Sequence, residues 1–133
     1  MSNLADPTPA PVVLIVEDDA AVADVVSRLI AAHGFAPLTV ASSTEAMAAI
    51  RERHVVAVVL DVDLDEVDGG VDFLKWLRRQ PAHADTPVGI FTGLMEFDDA
   101  DRHGVEIFGA TVFYKPNGID ALIQFLKTGT NRE

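Results

Sequence analysis

Five short apolar runs recur along the chain, and each is followed by a segment whose apolar residues have helical spacing. The first run shows no alternation between apolar and polar positions, which is typical of a strand buried on both faces of a parallel sheet. Regular alternation of strands and helices predicts an α/β fold: a parallel sheet covered by helices on both faces, with right-handed crossovers. The predicted strands span 12–16, 35–40, 55–60, 87–91 and 111–114.

Local signals refine this pattern of elements. The second predicted strand contains Pro37, which cannot donate a hydrogen bond to a neighbouring strand, so we predict that this strand lies at an edge of the sheet. Ser42, with Glu45 three residues later, forms a capping box that predicts the start of the second helix. The helix predicted over 100–108 is weaker, because Gly104 lies inside it.

Length and composition predict one compact domain. The chain has 133 residues, of which 49% are hydrophobic, and this is enough to build a core. We place the domain at 11–128, after a disordered lead-in over 1–10 and before a short tail over 129–133, with no output domain. The chain has no cysteine, which excludes disulfides and thiolate metal sites and suits a cytoplasmic location.

Charge and hydropathy argue against two classes of partner. The net charge is −11, and no cluster of basic residues is longer than the Arg78–Arg79 pair, so we expect no nucleic-acid partner. No apolar stretch approaches the roughly 20 residues of a membrane span. We therefore expect no membrane partner either.

Polar residues stand at the ends of four of the five predicted strands. They are Glu17, Asp18 and Asp19 after the first strand, Asp61 after the third, Thr92 after the fourth and Lys115 after the fifth. Because ligands bind at the carboxyl edge of an open parallel sheet, we expect these side chains to meet in one crevice. Asp19 is the exception, since we predict that it caps the following helix and does not bind a metal.

The residue types at this predicted crevice point to phosphoryl transfer. The carboxylates of Glu17, Asp18 and Asp61 would repel one another, and a hard divalent cation relieves that repulsion. A few protein oxygens with room for water and phosphate favour Mg²⁺, with Mn²⁺ as a substitute. Asp61, which stands after the central apolar run, is the candidate nucleophile for an aspartyl phosphate. The Lys115 ammonium and the Thr92 hydroxyl would stabilise the oxygens of the transferring group.

These residues lie in segments that resemble the receiver domain of two-component response regulators. The segments are VLIVEDD, VVLDVDLDEVDGG, FTG and YKP. The resemblance covers about Val12 to Leu126, nearly all of the chain. It implies a flavodoxin-like, doubly wound five-stranded sheet with strand order 2-1-3-4-5. In that order the second strand is an edge, which agrees with the separate inference from Pro37.

The resemblance also implies a role for each site residue and a class of partner. It implies that Glu17, Asp18 and the backbone carbonyl of Asp63 bind Mg²⁺, and that Asp61, eight residues before Gly69, is the phosphoacceptor. It also implies that Thr92 provides the switch hydroxyl and that Lys115 contacts the phosphate. Such a domain is a phosphoacceptor for signalling and not a turnover enzyme. It takes its phosphoryl group from a histidine kinase or a histidine-phosphotransfer protein and signals by changing which protein it binds. We expect a monomer or a weak homodimer.

The chain departs from the family pattern at two positions. Asp65 stands where the family usually has proline, in a loop already rich in acids. Val112, three residues before Lys115, stands where the family usually has an aromatic residue that reports phosphorylation. Phe113 is adjacent, but neighbouring residues of a strand point to opposite faces. These departures motivate an alternative, a receiver-fold interaction module whose signalling does not depend on phosphate.

Two further alternatives arise from the acids near Asp61. Haloacid-dehalogenase-type phosphohydrolases also use Asp-x-Asp after an apolar strand, but the acids that would complete their metal site after Lys115 are missing here. Asp61, Asp63 and Asp65 have the spacing of an EF-hand loop, yet Glu66 replaces the glycine that such a loop requires, and a predicted strand precedes it. Both alternatives are therefore disfavoured.

Overall fold

Five strands form a single parallel sheet in this computed structural model, which describes residues 9–61, 69–93, 103, 105–115 and 118–130. The strands are β1 (Val12–Val16), β2 (Ala36–Val40), β3 (Val55–Leu60), β4 (Val88–Thr92) and β5 (Ala110–Tyr114). The helices are α1 (Ala20–Ala32), α2 (Ser43–Glu52), α3 (Gly69–Arg78) and α4 (Ile119–Gly129), with a short 3-10 helix at Pro81–His83. The strand order is β2-β1-β3-β4-β5, so the predicted flavodoxin-like topology is confirmed.

Each face of the sheet carries its own hydrophobic cluster, because successive side chains of a strand point to opposite faces. On one face, which we call the α2/α3 face, Leu14 and Val16 of β1 pack with residues of α2 and α3. On the other, the α1/α4 face, Val13 and Ile15 pack with residues of α1 and α4. The same alternation decides from which face of the sheet the side chain of a polar residue at a strand end projects.

β2 is an edge strand, as Pro37 predicted. The backbone N–H of Ala36 donates to the carbonyl of Pro11 at 2.8 Å, and the carbonyl of Val40 accepts from the N–H of Glu17 at 3.0 Å. The even-numbered residues of β2 therefore turn their backbone groups towards β1, since these groups alternate in direction along a parallel strand. Pro37 faces outwards, where its missing N–H costs no bond within the sheet.

Helix α1 begins directly after the group of acids that follows β1. The side chain of Asp19 accepts hydrogen bonds from the backbone N–H groups of Ala21 at 2.9 Å and Val22 at 3.2 Å. The prediction that Asp19 caps this helix is confirmed. Gly34 follows the helix with a φ of 91°, a left-handed conformation that glycine adopts without strain.

The predicted capping box of α2 is also present, with one difference. The Ser42 hydroxyl oxygen accepts from the backbone N–H of Glu45 at 3.1 Å. The Glu45 carboxylate reaches back to the N–H of Ala41 at 2.8 Å, one residue before the cap. Both bonds satisfy backbone donors where the chain enters the helix.

Several predictions fall wholly or partly outside the described residues. The helix predicted over 100–108 is described at His103, which is helical, and from Val105, after which the backbone turns into β5. Most of the lead-in over 1–10 and of the tail over 129–133 also lies outside the described part. Among the described helices, none has the length and hydropathy needed to cross a bilayer.

Candidate functional site

Three of the predicted site residues occupy equivalent places in the sheet. Glu17, Asp61 and Lys115 are each the first residue after a strand, namely β1, β3 and β5. Each donates its backbone N–H to the last residue of a neighbouring strand, so the ladder continues one residue further. The acceptors are the carbonyls of Val40 for Glu17 (3.0 Å), Val16 for Asp61 (3.0 Å) and Thr92 for Lys115 (2.8 Å). These bonds anchor the three backbones at one edge of the sheet.

Strand alternation assigns these three residues to the α1/α4 face. Glu17 continues the series of Val13 and Ile15, and Asp61 likewise follows β3 residues of that face. Lys115 stands two residues after Phe113, which packs in the same cluster. Thr92 has the opposite parity: it ends β4 two residues after Ile90 of the α2/α3 face and is fully buried. The lysine and the threonine therefore start from opposite faces of the sheet edge.

The Lys115 ammonium joins the two buried acids. Its Nζ lies 2.9 Å from Oε1 of Glu17 and 3.4 Å from Oδ2 of Asp61. The second oxygen of Glu17 accepts from the backbone N–H of Asp19 at 3.1 Å. Asp61 is 3% exposed and Glu17 is 6% exposed, so these contacts replace part of the solvent that both carboxylates lose.

Opposing influences act on the pKa of Lys115. Partial burial of the ammonium lowers the pKa, because it removes water from the charged form. The hydrogen bond to Glu17 and the charges of Asp61 and Glu17 act in the other direction and together outweigh burial, so the pKa is raised above its ordinary value. Lys115 therefore stays positively charged at neutral pH and compensates the acids beside it.

A cluster of three carboxylates lies at the centre of the site. Glu17, Asp18 and Asp61 each offer one oxygen, and these oxygens lie within 4.8 Å of one another. Two oxygens on opposite sides of Mg²⁺ would be about 4.2 Å apart, so the cluster is close to the size that this ion needs. Asp18 is exposed, and an open cleft of about 440 Å³ borders Glu17 and Asp18, which leaves a route for water. An all-oxygen set with solvent access fits Mg²⁺, and Mn²⁺ as its substitute.

The remaining predicted residues differ in how far the structure describes them. Asp63, expected to offer a backbone carbonyl to the metal, and Asp65, which replaces a usual proline, lie outside the described residues. Thr92 lies at the buried end of β4, where its carbonyl accepts from the backbone N–H of Lys115. Asp19 is held at the start of α1 as its cap.

Sequence reasoning missed Phe91, which lies beside Lys115. The Lys115 Nζ is 5.7 Å from the centroid of the Phe91 ring, within the range of a cation–π contact. The signal was available: Phe91 precedes Thr92 in β4, so its side chain points to the α1/α4 face, where Glu17 and Asp61 begin.

The prediction that Val112 and Phe113 face opposite ways is confirmed. Val112 packs against the cluster of the α2/α3 face, whereas Phe113 packs against that of the α1/α4 face. Tyr114, two residues after Val112, shares the face of Val112 and pairs in register with Thr92. An aromatic residue therefore lies on the same face as Val112, but two residues nearer the end of β5 than the position where the family usually has its aromatic residue.

Comparison with known proteins identifies the family. The model of the response regulator receiver domain matches residues 13–127. The chain belongs to this receiver family. The predicted resemblance is thereby confirmed, and the phosphohydrolase alternative loses its support. The strand β3 that leads into Asp61 likewise agrees with the rejection of an EF-hand, whose loop follows a helix.

Individual receivers and response regulators resemble the chain over most of its length. The polar-differentiation response regulator DivK of Brucella ovis is 28% identical over 117 residues, which are 86% of this chain and 94% of DivK. An NtrX-like response regulator of Rickettsia bellii is 29% identical, but the chain spans only 24% of its length. The structure of the Francisella response regulator 1452 receiver domain superimposes with a TM-score of 0.78 at 25% identity, covering 92% of this chain and 98% of that one. A structure of the Vibrio cholerae chemotaxis protein CheY4 gives 0.79 at 25% identity, covering 90% and 98%.

Proposed function

We propose that this receiver accepts a phosphoryl group on Asp61, in a Mg²⁺-dependent reaction, from a phosphohistidine of a histidine kinase or histidine-phosphotransfer protein. The observation that carries the proposal is the junction of one ammonium with two buried carboxylates: Lys115 Nζ lies 2.9 Å from Glu17 and 3.4 Å from Asp61. The phosphorylated form then signals in the cytoplasm by binding a downstream protein with a different affinity.

The Asp61 carboxylate acts as the nucleophile. One of its oxygens attacks phosphorus, an O–P bond forms, and the N–P bond of the phosphohistidine breaks, with the electron pair leaving on the imidazole nitrogen. A carboxylate oxygen attacks with its own negative charge, so the step needs no general base. The 3.4 Å contact of Asp61 with Lys115 is longer than that of Glu17 at 2.9 Å, so Lys115 binds Glu17 more closely than Asp61.

Lys115 and Thr92 act on the oxygens of the transferring group. The ammonium of Lys115 exchanges its contact with Asp61 for a phosphoryl oxygen, while its bond to Glu17 keeps it in place. The Thr92 hydroxyl donates to a second phosphoryl oxygen from the other side of the sheet edge. Glu17, Asp18, Asp61 and the backbone carbonyl of Asp63 would hold Mg²⁺, which would supply positive charge where negative charge accumulates.

Labelling by a small phosphodonor tests the proposal directly. We expect incubation with acetyl phosphate and Mg²⁺ to add the mass of one phosphoryl group to the intact protein, and the adduct to be lost on treatment with hydroxylamine, which cleaves acyl phosphates. Omission of Mg²⁺ in the presence of EDTA is the control and should prevent the labelling. Absence of a mass gain with Mg²⁺ present would contradict the proposal.

The packing of Val112 favours a second candidate, an interaction module that does not respond to phosphate. Val112 lacks the aromatic ring that the family uses to report phosphorylation, and it packs in the α2/α3 cluster as an ordinary core residue. Beryllofluoride with Mg²⁺ mimics the phosphorylated state. If the amide NMR spectrum of the protein with beryllofluoride matches that of the Mg²⁺-bound protein at residues away from the acids, this second candidate is favoured. Chemical-shift changes that extend to α3 and β5 would instead support a phosphate-dependent signal.

Mg²⁺ is expected to stabilise the fold, and Asp18 is expected to be needed for this. At about 100 times its dissociation constant, the ion should raise the free energy of unfolding by roughly 2.7 kcal/mol, because it binds the folded state alone. In Asp18→Asn the increment should fall to well under half, as one ligand is lost. Urea unfolding with and without millimolar Mg²⁺ measures both values.

The adjacent residue supplies a matched control for that experiment. Asp19→Asn removes the same charge one position further on, and asparagine still caps a helix. Asp19 is committed to the N–H groups of Ala21 and Val22, so this variant should keep most of the Mg²⁺ increment. Equal losses in the two variants would mean that general charge, and not a ligand at position 18, produces the effect.

A further inference from the structure

We propose that Phe91 is a positioning residue for phosphoryl transfer, and that its ring supports the Lys115 ammonium against Asp61 and Glu17. This inference rests on the proposed function and adds a residue to it. Phe91 is 5% exposed and belongs to the cluster of the α1/α4 face. The Lys115 Nζ lies 5.7 Å from the centroid of the ring.

The sheet order explains why such support is needed. β4 lies between β3 and β5, so the backbones of Asp61 and Lys115 are separated by one intervening strand. Neighbouring strands are about 4.8 Å apart, so the side chains of Lys115 and Asp61 and the contact between them must together span nearly 10 Å of sheet edge. The path of the lysine side chain crosses the end of β4 on the α1/α4 face. Phe91 is the side chain that β4 presents there.

Packing from the helix side does not confine the lysine. An open cavity of about 300 Å³ adjoins it and is lined by Val22 and Val25 of α1, by Ile119 of α4 and by Phe91 itself. Val25 is 55% exposed. The lysine stem consequently has free volume beside it, and a flexible side chain with free volume loses orientation unless its charged end is held.

A phenyl ring suits this position because it serves the ammonium both before and after phosphorylation. The negative face of the ring attracts a cation without bringing a further acid into a cluster that already has three. It also makes no hydrogen bond that would compete with the phosphoryl oxygens for the N–H groups of the lysine. Phe91 is itself held in β4 beside Phe113, its partner in register.

A fluorination series at position 91 separates this role from simple packing. Incorporation of mono-, di- and trifluorinated phenylalanine weakens the negative face of the ring stepwise with little change in its volume. We expect the rate of Asp61 labelling by acetyl phosphate at saturating Mg²⁺ to fall with each added fluorine. Phe91→Leu, which removes the ring, should slow labelling roughly three- to tenfold.

Phe125→Leu is the matched control, because it makes the same ring-to-leucine change in a ring of the same cluster. It should leave the labelling rate within about twofold of wild type, since position 125 does not lie under the ammonium. A flat fluorination series would overturn the inference even if Phe91→Leu is slow, because a volume effect alone would then account for the loss. If the wild-type protein is not labelled at all, the proposed function fails and this inference with it; a labelled wild type with a flat series removes the inference alone.

Discussion

Asp61→Asn is expected to abolish phosphoryl labelling. The amide has nearly the shape of the carboxylate but carries no negative charge, and its oxygen is too weak a nucleophile to attack phosphorus. The change also removes one of three carboxylates from the acid cluster, so metal affinity should fall as well. Intact-mass measurement after incubation with acetyl phosphate and Mg²⁺ should show the unmodified mass alone, under conditions where the wild type is labelled.

The fold of Asp61→Asn should survive, which keeps this result interpretable. The backbone N–H of Asp61 still donates to the carbonyl of Val16, and Lys115 keeps its 2.9 Å bond to Glu17. Near-ultraviolet circular dichroism checks that the packing is intact. Asp72→Asn, at an exposed acid in the first turn of α3, is the control and should label normally. Labelling of Asp61→Asn at the wild-type rate would show that phosphate enters elsewhere.

Lys115→Met is expected to slow labelling by about 10² to 10³, the loss typical when one preorganised group is removed from a charge that develops in the transition state. Methionine keeps an unbranched apolar side chain of similar length, so the stem still covers the Phe91 ring while the ammonium is gone. The residual rate should still require Mg²⁺, because the acid cluster remains. Time courses at saturating donor, for wild type and variant, measure the ratio.

The same substitution should destabilise the protein when no metal is present. Without the ammonium, the buried acids Glu17 and Asp61 lose a positive partner, which costs about 3 kcal/mol of unfolding free energy. Mg²⁺ should recover part of this loss, since it supplies positive charge to the same carboxylates. Lys127→Met in α4 removes the same charge from outside the site. It should neither destabilise the metal-free protein in this way nor show such a recovery with Mg²⁺. A Lys115→Met protein as stable as wild type in EDTA would mean that the two acids do not depend on the lysine.

Much of the fold could be predicted because parallel strands covered on both faces leave a simple trace in the chain. The apolar runs located all five strands to within one or two residues, and Pro37 placed β2 at the edge, since a central strand would have needed its N–H. Asp19 was recognised as a cap from its place before a helical pattern. The segment over 62–68 is different: no apolar run marks a strand or helix there, and the roles of Asp63 and Asp65 remain predictions.

The sequence by itself determined which residues stand at strand ends, because the change from apolar to polar marks where a buried strand reaches solvent. That was enough to bring Glu17, Asp61 and Lys115 to one edge of the sheet. Only the tertiary structure decided how they meet: the lysine crosses the end of β4, lies beside Phe91 and reaches both acids. The physical reason is that these contacts depend on strand order and side-chain reach across the sheet, and neither quantity is a local property of the chain.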